Sequence, residues 1–120
     1  MKTRSGFGMD TLRQGVEGRD ATLLASLYAE NAEVTEVDND HPPARPRTFI
    51  GGEQIAEHLR DVCSREMTHR LENPMVSGNR LTFTEACRYD DGTEVLSIAT
   101  AEIDDRGKIV RQLAVTAWGS

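Results

Sequence analysis

The side chain of Glu85 is the first in this sequence whose setting suggests chemistry. It shares strand parity with Leu81, Phe83, Cys87 and Tyr89 over residues 80–90, so a carboxylate stands in an otherwise apolar row. If that face is interior, burial raises the carboxyl pKa and makes Glu85 a candidate acid. If it is exterior, the expected partner is an arginine at a contact between two copies of the chain. Glu36 lies in Ala32-Glu33-Val34-Thr35-Glu36-Val37-Asp38, whose alternation sends Val34 and Glu36 to one face and Thr35 and Val37 to the other. His58 is three residues after Ile55 and four before Val62, which puts it on or beside the buried stripe of a helix. His69 opens a strand beside Arg70 and His41 stands in a proline-rich loop, and both are expected to be exposed. Three scattered histidines without a Cys or Asp at ligand spacing predict no metal, and Cys63 and Cys87 read as packed, reduced thiols. There is no Gly-x-Ser-x-Gly elbow and no phosphate-cradling glycine loop, so serine hydrolysis and nucleotide binding have no basis, and no cofactor is expected.

These residues need elements to position them. Residues 9–17 are expected to form a short helix capped by Asp10, and a second begins at its N-cap Asp20 and runs through Leu23, Leu24, Leu27 and Tyr28 to Glu30-Asn31. The strand carrying Glu36 follows. Residues 39–47 hold three of the four prolines and form a loop that is a candidate lid. After Gly51-Gly52, the stripe Ile55, Leu59, Val62 and Cys63 predicts a third helix. Strands at 68–77, 80–90, 93–104 and 108–118 complete an antiparallel meander with turns at Ser77-Gly78-Asn79, Asp90-Asp91-Gly92 and Asp104-Asp105-Arg106-Gly107. Segregation of helices and strands along the chain means an α+β fold. In the last two strands both parities are apolar: Val95, Ala99, Ala101 and Ile103 oppose Leu96 and Ile98, while Ile109, Leu113, Val115 and Ala117 oppose Val110, Ala114 and Trp118. A sheet covered by helices on one face only should be polar on the other, so a second copy of the chain is the expected cover.

Composition bounds the remaining classes. A length of 120 residues with 38% hydrophobic content suits a single domain over 1–120, with about 1–8 flexible, that folds without a metal or disulfide. A net charge of −6 with no basic block argues against nucleic acid as a partner, and no segment is long and apolar enough to span a bilayer. The expected location is cytoplasmic.

Three stretches are similar to a known superfamily: Gly18-Arg19-Asp20 through Leu27-Tyr28-Ala29-Glu30-Asn31-Ala32-Glu33-Val34, Gly51-Gly52-Glu53-Gln54-Ile55-Ala56-Glu57-His58-Leu59, and Asp104-Asp105-Arg106-Gly107-Lys108-Ile109. With the element order, they resemble the nuclear transport factor 2-like superfamily, in its SnoaL-like and ketosteroid isomerase-like branch. The resemblance implies a cone-shaped curved antiparallel sheet wrapped around the helices, an apolar pocket at its open end, and homodimers that pack sheet on sheet. By the same resemblance, Glu36 falls at the position of the catalytic carboxylate base, Leu12 and Ala99 at the two oxyanion-hole donors, and Tyr28 and Leu59 at the supporting tyrosines. His58 falls where a pocket-facing aromatic residue is usual, and as an acid–base partner it would complement Glu36. The catalytic candidates are therefore Glu36 and His58. Candidate ligand contacts are Tyr28, Leu12, Leu59, Phe83, Glu85, Ala99, Thr116 and Trp118. Loss of both donors argues against a standard ketosteroid isomerase. The expected function is an isomerase, cyclase or dehydratase acting on an apolar carbonyl-containing ligand; a non-catalytic dimeric binding module is the alternative.

Overall fold

A computed structural model describes residues 6–119. Helix α1 (Met9–Glu17) and the single-turn α2 (Ala21–Ala25) precede β1 (Tyr28–Val37), β2 (Arg47–Ile50), α3 (Gly52–Ser64), β3 (Met67–Ser77), β4 (Arg80–Tyr89), β5 (Glu94–Ile103) and β6 (Ile109–Gly119). The strands form one curved, unclosed sheet in the order β2-β1-β6-β5-β4-β3. Every neighbouring pair is antiparallel except β1 and β6, which run parallel because the helices and the meander separate them in sequence. Of the opening segment expected to be flexible, residues 1–5 lie outside the described part, and Phe7 packs on the core.

The helical region departs from expectation at two points. Asp10 does not cap α1; Gly8 holds that position without a side-chain bond, and Asp10 sits in the first turn. Asp20 does cap α2, accepting from the Leu23 amide at 3.0 Å, but the helix stops at Ala25 and Tyr28 already belongs to β1. The Ser26 hydroxyl donates to the Leu23 carbonyl, and the Ile109 amide then donates to the Leu27 carbonyl at 2.8 Å. Pairing with the last strand thus takes the chain before the apolar periodicity ends. At Gly15 a Cβ would lie 2.7 Å from Leu24 side-chain carbons, so the missing side chain is what lets α1 and α2 approach.

Leu12, Val16 and Leu24 pack against Leu71, Leu81, Ala101, Ile103 and Ile109 in the main core. A smaller cluster joins Ala32, Val34 and Ile55 beneath α3. Ile109 lies on the helix side and not with Leu113 and Val115 as parity suggested. An irregularity in the β5–β6 pairing between Glu102 and Ile103 changes the register, and with it the face. The outer face carries exposed Leu96, Ile98, Leu113 and Val115, with Ile98 directly opposite Val115. Among the described residues no helix is long and apolar enough to cross a membrane.

Candidate active site

Between α3 and the inner face of the sheet lies a cavity of about 420 Å³. Glu36, His58 and Glu85 enter it from three different elements. Glu36 follows Ala32 and Val34 on the inward parity of β1, close to the end of the strand. His58 sits one turn after the buried Ile55 on α3, which fixes the face it presents to the sheet. The two side chains meet, with His58 Nε2 3.0 Å from Glu36 Oε2. Their side chains are only 8% and 19% exposed, so this contact is shielded from bulk water. Phe49 of β2 stacks on the imidazole at a centroid distance of 4.1 Å and an interplanar angle of 16°, and the Arg47 guanidinium lies over the Phe49 ring at 5.1 Å from its centroid. The ring is therefore held by a helix, an aromatic stack and a carboxylate together. Among the described residues Glu36 Oε1 has no protein hydrogen-bond partner, which leaves one oxygen of the pair open to the cavity.

Glu85 faces this cavity from β4 and does not face the outer side of the sheet. Burial, and then the negative charge of Glu36, raise its pKa from 4.5 to about 7, with His58 acting in the opposite direction. The site thus contains an open carboxylate on one wall and, at neutral pH, a carboxyl that is protonated for much of the time. Tyr28 donates from its hydroxyl to Gln112 Oε1 at 2.9 Å, and its burial moves the phenol pKa well above the usual range. Its proton is already committed to a buried amide, so Tyr28 supports the wall and is a poor donor to a ligand.

The other candidate residues divide clearly. Leu59, Phe83 and Ala99 supply apolar wall, and the Thr116 hydroxyl donates to Ser97 Oγ at 3.0 Å. Trp118 stands at the rim, half exposed, and its main chain is bonded in both directions to the Asn39 side chain. That clasp fastens the 39–47 loop to β6 next to the cavity-lining Asp40, His41 and Trp118, and the loop is further pinned by His41 Nδ1 2.8 Å from Asp38 Oδ1. Leu12 does not line the cavity: α1 packs it into the main core at 3% exposure, so its position offers nothing to a ligand.

His69 is the residue whose expected place was most wrong. It is not an exposed strand-end histidine. Its Nδ1 lies 3.4 Å from the buried Cys87 sulfur, because the β3–β4 register sets His69 directly opposite Cys87. One potential ligand atom each from His69, Glu85 and Cys87 lies within 4.8 Å of the others, a grouping that linear spacing hides. Parity already put Glu85 and Cys87 on one face, but the register of the Ser77-Gly78-Asn79 turn alone would set Arg70 opposite Cys87; the irregularity between Glu72 and Met75 shifts the pairing by one and brings His69 there. Burial, followed by the Glu85 charge, pushes the Cys87 thiol up to about 12, and burial lowers the His69 pKa. Cys63 is also a free thiol, half-buried.

No protein-family model matches the chain, and no curated protein matches it significantly in sequence. Solved structures do match. An NTF2-like protein of unknown function from Mesorhizobium loti is 19% identical with a TM-score of 0.78, covering 97% of this chain and 95% of that one. A SnoaL-like family protein from Agrobacterium tumefaciens is 18% identical (TM-score 0.61, covering 92% and 93%), and a steroid delta-isomerase from Pseudomonas aeruginosa is 17% identical (TM-score 0.63, covering 93% and 82%). At these identities the likeness is one of fold: the chain has the nuclear transport factor 2-like, α+β architecture that the three stretches of sequence implied.

Proposed function

We propose that this nuclear transport factor 2-like chain is a cytoplasmic small-molecule enzyme of the isomerase or lyase kind, moving a proton next to the carbonyl of an apolar ligand. The observation that carries this reading is the shielded 3.0 Å contact between Glu36 and His58 on the wall of a cavity whose apolar wall includes Val34, Ile55, Leu59, Phe83 and Ala99. Glu36 Oε1 takes the proton from carbon. His58, donating to Oε2, orients the carboxylate and lets the pair share the charge that changes hands. The enolate oxygen needs a donor, and losing one such donor costs about 2.7–4 kcal/mol of barrier in well-studied sites. Ala99 and Leu12 cannot supply it, but a protonated Glu85 can. Glu85 therefore takes the role of acid in place of the residues the fold's isomerases use. Asp40 and Trp118, both exposed, line the cavity beside the Asn39–Trp118 clasp, and that end is the ligand entrance in this reading.

The reaction class can be tested without knowing the natural ligand. The protein is incubated in deuterium oxide with 2-tetralone, a bicyclic ketone small enough for the cavity, and α-proton exchange is followed by NMR. Exchange roughly 10² to 10⁴-fold above the buffer rate is expected for a positioned base. Saturable binding of 2-tetralone without any acceleration would overturn the reading.

We propose also that the working form is a homodimer joined through the outer face of the sheet. Leu96, Ile98, Leu113 and Val115 are 42–56% exposed there on adjacent strands, a contiguous apolar surface that a second copy covers with its own.

A further inference from the structure

We propose that His69, Glu85 and Cys87 form a zinc site on the cavity wall, holding the ion through one ring nitrogen, one carboxylate oxygen and a thiolate sulfur, with its fourth position open to the cavity. This goes beyond the proton-transfer reading and needs neither Glu36 nor His58. Three observations lead to it. The ligand atoms already lie within 4.8 Å of one another, on two neighbouring strands whose pairing makes the group rigid. The sulfur-to-nitrogen separation of 3.4 Å is close to the spacing of about 3.6 Å that tetrahedral bonds of 2.3 Å to sulfur and 2.0–2.1 Å to nitrogen require. His69 Nε2 is buried with no hydrogen-bond partner among the described residues. The nitrogen facing Cys87 is Nδ1, so an ion held there leaves the ring proton on Nε2; the unpartnered Nε2 shows that no protein group among the described residues competes to fix the ring in another tautomer.

The donor set selects the metal. One nitrogen, one sulfur and one oxygen suit a borderline cation such as zinc, whereas calcium and magnesium call for oxygen alone. Three protein ligands and an open position are the pattern of sites that meet a substrate, as distinct from closed structural sites with four. An ion there confronts whatever occupies the cavity and can accept a carbonyl oxygen directly. It also takes Glu85 out of its role as proton donor, so the two roles of that carboxyl exclude each other.

Cobalt(II) is the probe, since its spectrum reports thiolate ligation. Protein freed of metal by chelator is titrated with cobalt, and then with zinc. The expected result is one equivalent of cobalt per chain with a thiolate-to-cobalt charge-transfer band that zinc removes. The band persists in Cys63→Ser and disappears in Cys87→Ser. Circular dichroism of the metal-free variants verifies folding. Should Cys87→Ser fail to fold, loss of tight binding in His69→Gln carries the same decision. Absence of the band in the wild-type protein, its survival in Cys87→Ser, or its loss in Cys63→Ser overturns the proposal.

Discussion

Glu85 and His58 show how a residue's neighbours decide what it can do. In metal-free protein the Glu85 carboxyl has a pKa near 7 when folded and about 4.5 when unfolded, so the folded state holds the proton more tightly. Stability from this group is fully present below about pH 4.5 and is lost as pH rises through 7, by at most about 3 kcal/mol. Urea titrations in the presence of chelator should show this decline in the wild type. Glu85→Gln, neutral at every pH, should flatten it; an unchanged slope would mean that the carboxyl is not buried against Glu36. For His58 the informative change is to Phe, which keeps the stack on Phe49 and removes only the bond to Glu36. Proton exchange should fall by roughly 10²-fold with little change in melting temperature. In the sequence, the parity of Glu36 and the helical phase of His58 were each legible. Their meeting was expected only through the resemblance, because it depends on how steeply α3 crosses β1, and periodicity carries no crossing angle.

At the level of elements, the meander was legible almost to the residue because alternating apolar positions and Gly-containing turns agree there. The end of α2 was not. Leu27 and Tyr28 continue a helical period, but hydrogen bonding to β6 competes for the same backbone and prevails. Nor could alternation reveal the irregularity that turns Ile109 inward, since register shifts are a property of two strands and periodicity is a property of one. Removing the Asp20 cap by substitution with Ala should cost about 1 kcal/mol in urea denaturation. The β5–β6 turn is more sensitive. Asp104 Oδ1 accepts from the amides of Arg106 and Lys108, both at 2.9 Å, and Gly107 follows with φ +81°. A Cβ on Gly107 would lie 2.6 Å from the Gly6 main chain, so Gly107→Ala strains the turn and pushes the opening segment away. A loss of roughly 1–3 kcal/mol is expected from the same titrations, and a neutral result would show that the contact with Gly6 yields freely.

For the whole molecule, one sheet serves two surfaces: its inner face with the helices encloses the cavity, and its outer face presents Leu96, Ile98, Leu113 and Val115 to solvent. Replacing Ile98 and Val115 together with Lys should convert a dimer to a monomer in sedimentation equilibrium while leaving the far-ultraviolet circular dichroism unchanged, because neither side chain contributes to the core. A wild-type protein that sediments as a monomer would instead leave the face for a different partner. The central claim, that the cavity moves a proton through Glu36, is most directly tested by deuterium exchange into bound 2-tetralone by Glu36→Gln beside the wild type. The amide keeps the shape and a polar contact with His58 but accepts no proton. Exchange should fall at least about 100-fold, with ketone binding and melting temperature retained. Exchange at the wild-type rate would contradict a catalytic role for Glu36 and would leave the cavity a binding site only.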